Sequence, residues 1–158
     1  MVQPLSELPK EQVTAFFKQK WGSSLMASKG RVHHLEQLPG LAVVSEEQIT
    51  GLLTYQIAGG ECEIVTVNST VRGQGTAALM LDELQHIAAA KGCTRMWCIV
   101  TNDNIHAIRF FQKNGMTLCS FYRNALEDNR RLKPQIPMTG QDGIPIEHEL
   151  ELEKRLQG

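Results

Sequence analysis

The sequence has almost no excess of charge of either sign. Its 158 residues hold 16 lysines and arginines against 17 aspartates and glutamates, which gives a formal net charge of -1 at pH 7. Such a balance provides no basic field that would attract phosphate backbones or anionic lipid without sequence preference. We therefore expect neither nucleic acid nor a membrane as a partner.

Long apolar runs are missing as well. No stretch is long enough to cross a bilayer, and Met1-Val2-Gln3-Pro4 at the start has neither the charged stretch nor the apolar run of a signal peptide. We expect the protein to be cytoplasmic.

Potential metal ligands are few and poorly spaced. The cysteines are Cys62, Cys93, Cys98 and Cys119. None are paired at metal-ligand spacing, and three lie in runs that resemble buried strands, so we expect small core residues. His33 and His34 are adjacent, and neighbouring side chains in an extended chain point in opposite directions. No third ligand stands nearby, and the sequence predicts no metal site.

The length predicts one domain over 1–158, with a core over about 10–122 and a C-terminal loop with an edge strand over 123–158. The first half shows helical spacing and then two apolar runs and a β-branched run separated by turn signals. We predict a helix and three antiparallel strands, over residues 10–21, 41–44, 49–58 and 61–67.

The second half predicts two strand-helix-strand units. One helix follows the glycine turn and ends at Lys91-Gly92, and another begins after the capping residues Asn102-Asp103-Asn104. Strands are expected over 96–100 and 116–122. The tail from Asn124 is broken by prolines and glycines and is predicted to be mostly loop. At its end, glutamates alternate with leucines over 149–153, which suggests an edge strand with an acidic outer face, or a short helix.

The most informative segment is the glycine turn, which reads Val71-Arg72-Gly73-Gln74-Gly75-Thr76-Ala77. Gly73 and Gly75 allow backbone amides to approach a ligand closely, and the following helix presents N–H groups and the positive end of its dipole. Arg72 adds a donor fork suited to phosphate. The turn therefore suits a diphosphate, although the same residues could simply connect a strand to a helix.

Two nucleotide-binding motifs are alternatives. The phosphate loop of NTPases is excluded because Gly75 is not followed by Lys-Ser/Thr. Gly73, Gly75 and Ala78 do satisfy a permissive dinucleotide fingerprint. That motif needs an acidic residue about twenty positions later, and no Asp or Glu lies between Glu83 and Asp103. A dinucleotide site is the less favoured alternative.

Two motifs resemble the GNAT superfamily of N-acetyltransferases. The family's acetyl-CoA motif, Arg/Gln-x-x-Gly-x-Gly/Ala, matches residues 72–77 completely. The signature Asn-x-x-Ala-x-x-Phe-Tyr, followed by glycine, is similar to residues 104–111 with Gly115, and it departs only at Phe111. The resemblance covers roughly residues 10–122. Residues 132–146 look like the tail of a poorly characterised GNAT subgroup.

The resemblance implies an α/β fold with a mixed, mostly antiparallel central sheet flanked by helices, in which a splayed strand pair holds CoA. Pantetheine would bond to the backbone of the strand before the turn, the pyrophosphate would meet the turn, Asn104 would contact the CoA arm, and two phenylalanines would pack near the thioester. The implied cofactor-binding residues are Val65, Thr66, Val67, Arg72, Gly73, Gln74, Gly75, Thr76, Ala77, Asn104, Phe110 and Phe111. A helix cap at Asn104 and core packing at the phenylalanines are the plain alternatives.

Transfer of acetyl from acetyl-CoA to a small primary amine, by direct attack in a ternary complex, needs a base and a fate for the leaving thiolate. The family often places a glutamate base where Glu63 stands. It commonly has a tyrosine acid where this chain has Phe111, so Tyr122 or water would have to replace it. The alternative is an acyl-CoA sensor, or a degenerate enzyme without efficient catalysis. The loop 26–38, with His33 and His34, is expected on the acceptor side, and a homodimer is a further candidate assembly.

Overall fold

The structure is a computed structural model that describes residues 1–23, 25–71 and 73–156. It shows a mixed α/β fold with a mostly antiparallel central sheet flanked by helices, as expected. Within the described residues, the helices are α1 Lys10–Trp21, α2 Thr76–Ala90, α3 Ile105–Lys113 and α4 Ala125–Leu132. The strands are β1 Val2–Pro4, β2 Leu25–Ser28, β3 Arg31–His34, β4 Gly40–Ser45, β5 Gln48–Ala58, β6 Glu61–Ser69, β7 Arg95–Thr101, β8 Thr117–Tyr122 and β9 Glu149–Arg155.

The chain forms two compact units. The first consists of Met1–Ser24, His34–Met96 and Arg155–Gly158, and the second consists of Leu25–His33 and Trp97–Lys154. None of the helices in the three described ranges is both long and apolar enough to span a bilayer.

The first unit is built on an antiparallel meander. Strands β1, β4, β5 and β6 lie side by side in that order. The apolar residues that predicted these elements form its core, and the largest fully buried side chains include Phe17, Leu52, Leu53, Met80 and Leu84. The predicted α1 is confirmed, and it ends at Gly22, which adopts the left-handed conformation with φ 74°.

Both hairpin turns of the meander use positive φ angles. Gly59 and Gly60 lie at 59° and 75°, as their sequence predicted. The turn between β4 and β5 has the same backbone, although it is made of Glu46 and Glu47, at 50° and 66°. Two residues other than glycine therefore occupy a conformation that costs them energy.

The second unit contains β2 and β8 and most of β3, β7 and β9. The β2–β3 hairpin turns at Lys29-Gly30, where both φ angles are positive, in the segment 26–38 that was expected to be a loop. β8 pairs antiparallel with β9, which lies between β7 and β8. The strand predicted at the end of the chain is therefore confirmed, but it is not an edge strand.

The acidic face of β9 points inward, which also contradicts the prediction. Glu149 and Glu151 are only 1% and 4% exposed. Alternation in a sequence identifies two faces of a strand but does not say which one is covered. Here the backbone N–H and the ammonium of Lys29, at the tip of the β2–β3 hairpin, donate to these carboxylates.

Helix α4 occupies part of the tail that was predicted to be mostly loop. Its sequence, Ala-Leu-Glu-Asp-Asn-Arg-Arg-Leu, buries only Leu126 and Asn129 and shows little apolar periodicity. Its charges are ordered to suit a helix, since acids occupy the first turn and arginines the last. The order of the charges therefore indicates a helix in this segment, where the apolar residues do not.

The capping residues before α3 also hold the tail. Asn102 accepts hydrogen bonds from the backbone N–H groups of Glu147 and His148 and donates to the carbonyl of Pro145. Asp103, which is buried, accepts from the backbone N–H of Gln141. The segment after α4 is therefore fixed by side chains some forty positions earlier in the chain.

Candidate functional site

The glycine turn is exposed and firmly anchored on its strand side. Ser69 Oγ donates to the carbonyl of Val71 at 2.8 Å, and the N–H of Thr70 donates to the carbonyl of Thr50 at 2.9 Å. Gly73 and Gly75 have φ angles of 75° and 69°, and a β-carbon at either would meet nothing within 4 Å. Glycine is therefore favoured at these two positions because of their positive φ angles, and not because neighbouring atoms leave no room for a side chain. Arg72, predicted to bind phosphate, lies outside the described residues.

Helix α2 begins directly at this turn. Its first intrahelical bond runs from the N–H of Leu79 to the carbonyl of Gly75, at 2.9 Å. The amides of Thr76, Ala77 and Ala78 precede that bond, and the capping residue is a glycine, so no side chain caps them. The first turn carries no acidic residue. Free amides, the helix dipole and an exposed turn together suit an anionic ligand.

The start of α2 lies directly against β5. A β-carbon at Gly51 would come within 2.6 Å of Thr76 Cγ2 and 2.9 Å of Met80 Cε. Only a residue without a side chain allows this approach. The position of the helix N-terminus therefore depends on a glycine two strands earlier in the chain.

Strand β6 has a β-bulge among the residues predicted to meet pantetheine. Thr66 lies opposite Thr54 and Ile64 lies opposite Tyr55, so Val65 is the extra residue. The hydroxyls of Thr54 and Thr66 share a hydrogen bond of 2.6 Å in the buried interior. A bulge bends its strand and leaves one residue out of the regular pairing. It thereby changes the direction of the backbone just before the glycine turn.

Glu63, the predicted base, is a buried carboxylate on the same strand. It lies opposite Gln56 in the sheet register, and it is 5% exposed. The solvent-facing alternative for this residue is therefore wrong. Burial, followed by the charges of Cys93 and Glu63, raises the pKa of the neighbouring Cys62 thiol to about 12.

The residues of the second motif lie in the second unit. Asn104 caps α3: its Oδ1 accepts from the N–H of Ala107 at 3.2 Å and from Gln141 Nε2 at 3.1 Å. Phe110 and Phe111 meet edge to face, with ring centroids 5.2 Å apart, and Phe111 is buried. These contacts agree with the plain structural alternatives, and the roles toward CoA stay predictions.

Tyr122, the predicted acid, belongs to a polar cluster in the second unit. Its hydroxyl donates to Glu151 Oε1 at 2.6 Å, and Lys29 Nζ donates to the same oxygen at 3.3 Å. Glu149 accepts from the Lys29 backbone N–H at 3.0 Å and from Asn129 Nδ2 at 2.8 Å. Of these residues the sequence indicated only Tyr122 as a site residue, because the others lie on β9, on the β2–β3 hairpin and on α4, which only the folded structure brings together.

The histidines of the β2–β3 hairpin have different environments. His33 is buried, with Nε2 3.3 Å from Ser28 Oγ, whereas His34 is exposed. This alternation is the one that the extended chain predicted. Cys119, expected to be a core residue, is exposed, as are all residues of β8 except Tyr122. The other three cysteines are buried, as expected.

The site is suited to a phosphorylated ligand, because it combines a bulged strand, an exposed glycine turn and a helix with uncapped amides. Similarity to known proteins shows to which family of proteins this site belongs. The chain belongs to the acetyltransferase (GNAT) family, whose model matches residues 5–116. It is 36% identical over 155 residues to YxbD, an uncharacterised protein of Bacillus subtilis (strain 168), and the match covers 98% of both chains.

Solved structures agree with the fold. An IAA acetyltransferase from Bacillus cereus ATCC 14579 matches with a TM-score of 0.76 at 13% identity, covering 99% of each chain. An aminoglycoside 6'-N-acetyltransferase complexed with coenzyme A matches with a TM-score of 0.73 at 11% identity, covering 100% of this chain and 98% of that one. At such identities these likenesses bear on the fold alone.

Proposed function

We propose that the protein is a single-domain N-acetyltransferase, over 1–158, that transfers the acetyl group of acetyl-CoA to a primary amine by direct attack in a ternary complex. The observation that carries this proposal is the exposed glycine turn at the uncapped N-terminus of α2. Membership of the GNAT family supports the acyltransfer, and the solved neighbour in complex with coenzyme A supports the donor.

The turn and the start of α2 would hold the pyrophosphate. The amides from Gly73 to Ala77, among them those of Gln74, Gly75 and Thr76, point out of the helix end or lie in the exposed turn. Arg72 would add a charge-assisted bond. The backbone of Val65 to Val67 would bond pantetheine, which the bulge supports because it takes the backbone of Val65 out of regular pairing with β5.

Glu63 would accept the proton of the attacking amine. It is a buried carboxylate on the strand that is predicted to meet pantetheine, so its position suits a base that acts beside the cofactor. Direct attack is favoured over an acyl-cysteine, since a Cys62 thiol with a pKa of about 12 stays protonated at neutral pH. Tyr122, whose hydroxyl is hydrogen-bonded to Glu151, would protonate the departing thiolate. It would replace the tyrosine that the family commonly has where this chain has Phe111.

Calorimetry with acetyl-CoA, free CoA and NAD tests the donor. We expect tight binding of both CoA species and none of NAD. An Arg72→Ala variant should weaken CoA binding by roughly 1.5–3 kcal/mol through loss of a charge-assisted phosphate contact. The control is Arg131→Ala on α4, an exposed arginine paired with Asp128. Equal affinity in both variants would remove Arg72 from the site, and tight NAD binding would refute the donor assignment.

Thiol release across a panel of primary amines tests the reaction. A Tyr122→Phe variant should lower kcat by roughly 10²-fold or more if the hydroxyl is the acid, with little change in acetyl-CoA affinity. The second candidate function is an acyl-CoA sensor, which the phenylalanine at position 111 favours. Tight acetyl-CoA binding with only background hydrolysis for every amine would support the sensor instead.

A further inference from the structure

The ammonium of Lys29 lies between two aromatic rings and a carboxylate, all in the second unit. Its Nζ is 4.9 Å from the ring centroid of Trp97 and 5.1 Å from that of Tyr122. It is also 3.3 Å from Glu151 Oε1. Aromatic faces attract cations, and aromatic cages recognise ammonium ligands. We call Trp97, Tyr122 and Glu151 the cation cage.

The cage is supported by further buried polar groups. The Glu151 side chain is only 6% exposed, and Glu149 lies two positions earlier on the same face of β9. Asn129, which is fully buried, donates to Glu149 and accepts from the backbone N–H of Gly30. Two carboxylates held out of water need a positive partner close by. A second cation, the Arg31 guanidinium, lies 5.8 Å from the Trp97 ring centroid.

The lysine that occupies the cage is attached to the protein by its backbone as well as by its side chain. Lys29 is at the turn of the β2–β3 hairpin with φ 50°, and its N–H donates to Glu149. Its side chain remains 34% exposed. Burial lowers the pKa of the ammonium, but the hydrogen bonds and charges of Glu151 and Tyr122 outweigh this, so the pKa lies above its ordinary value. Because the backbone N–H of Lys29 holds the turn on Glu149, the turn keeps this anchor when the side chain leaves the cage.

We propose that the cation cage is a binding site for a primary ammonium group of a ligand, and that the Lys29 ammonium occupies it in the free protein. The identity of this ligand rests on the proposed function. It is an acceptor with a second, non-reacting amine, that is, a diamine or polyamine. The ligand's ammonium would take over the bond to Glu151 and the two ring faces, and the Lys29 side chain would turn to solvent.

The test uses Lys29→Gly and n-butylammonium chloride, which reproduces the removed side chain. Glycine suits the positive φ at this position, so the hairpin turn is retained. We expect n-butylammonium to raise the melting temperature of Lys29→Gly in a saturable manner, relative to equal concentrations of NaCl. It should raise that of the wild type less, because there it must displace the Lys29 ammonium from the cage. If Lys29→Gly melts without cooperativity in NaCl, recovery of cooperative melting by n-butylammonium supports the proposal equally.

The matched control is the double variant Lys29→Gly/Glu151→Gln. Without the carboxylate, n-butylammonium should bind about tenfold more weakly, as expected for loss of a charge-assisted hydrogen bond. A Tyr122→Phe change on the Lys29→Gly background keeps the ring and should preserve most of the binding, which separates the cage from the hydroxyl's role in catalysis. Equal responses of Lys29→Gly, its Glu151→Gln double variant and the wild type would overturn the proposal.

The link to the acceptor is measured separately. If the cage holds the second amine, kcat/KM for a diamine should exceed that for the monoamine of equal chain length, and Glu151→Gln should reduce this ratio. Ammonium binding without turnover of any amine would leave the cage in place and refute the proposed function. Turnover without any preference for diamines would refute the acceptor assignment and leave the transferase in place.

Discussion

Glu149 is a carboxylate held almost entirely out of water. Burial raises its pKa above the ordinary value of 4.5, and the hydrogen bonds from the Lys29 N–H and Asn129, with the charges of Lys29 and Arg31, offset this only in part. The folded protein therefore binds this proton more tightly than the unfolded chain does. Where the two forms differ in protonation, stability must depend on pH.

The sign of this dependence can be tested with Glu149→Gln. Between pH 4.5 and the raised folded pKa, the folded state binds more protons than the unfolded state, so the free energy of unfolding falls as the pH rises. Glutamine does not titrate. We expect the unfolding free energy of the wild type minus that of the variant to decline as the pH rises above 4.5 and to level off above the raised folded pKa, measured by urea denaturation.

The control for this experiment replaces Glu127, an exposed acid on α4, with glutamine. It measures what the loss of one surface charge does to the same curve. The pH slope is the readout, because glutamine also changes the hydrogen bond with Asn129 by an amount that does not depend on pH. A difference that rises with pH would contradict the burial argument.

At the level of elements, local patterns predicted most of the meander and both helices that flank the glycine turn and the second motif. The apolar periodicity of α2 and the cap at Asn104 are local properties, so they can be recognised in a sequence. The interior position of β9 could not be recognised, because it depends on what packs against the strand. Helix α4 was missed because its signal lies in the order of its charges and not in an apolar period. The turn at Glu46-Glu47 was expected from polarity, but its positive φ angles were not.

That turn offers a simple stabilising substitution. Glu47 has a φ of 66°, where a residue with a β-carbon is strained and glycine is not. We expect Glu47→Gly to raise the free energy of unfolding by about 0.5–1 kcal/mol, since relief of the strain exceeds the added entropy of the unfolded chain. Glu83→Gly, the same change in the exposed interior of α2, should instead lower it by about 1 kcal/mol. If both substitutions change the free energy of unfolding equally, the backbone of Glu47 is not strained.

The contact between β5 and α2 links stability to the candidate site. At Gly51 a β-carbon would overlap Thr76 Cγ2, so Gly51→Ala should displace the first turn of α2. We expect a loss of about 1–3 kcal/mol in the free energy of unfolding, as is usual for overpacking. Acetyl-CoA binding should weaken as well, if the amides of this turn hold the pyrophosphate.

A second substitution tests whether the overlap is the cause. Thr76→Ser removes Cγ2, and in the Gly51→Ala background it should restore most of the stability and of the acetyl-CoA affinity, because the other close atom, Met80 Cε at 2.9 Å, is the end of a flexible side chain. Alone, Thr76→Ser should change the affinity little, because the proposed contact is made by the backbone. Failure of the double variant to recover would mean that Gly51 acts by some other route.

At the scale of the whole molecule, the only parts of the candidate site that could be predicted are those made of residues that are contiguous in the sequence. Residues 72–77 and 104–111 are contiguous motifs, so their resemblance to the family could be recognised directly. The cation cage consists of Trp97, Tyr122 and Glu151, and with its occupant Lys29 these residues lie on four separate segments. No spacing rule connects them, because only the folded structure brings the central sheet and the β2–β3 hairpin together at this place.

Ligand binding gives a test at this same scale. If the chain is a single cooperative domain that binds acetyl-CoA, the ligand should shift one transition for the entire molecule. At about 100 times its Kd, a ligand bound only by the folded state adds about 2.7 kcal/mol. For a chain of this size that corresponds to a rise in Tm of roughly 5–10 °C. NAD at the same concentration should leave Tm unchanged. The melting curve could instead show two separate transitions, with acetyl-CoA moving only the one that includes the glycine turn. That result would show that the two compact units unfold independently. A single transition that is moved by NAD alone would refute the CoA site.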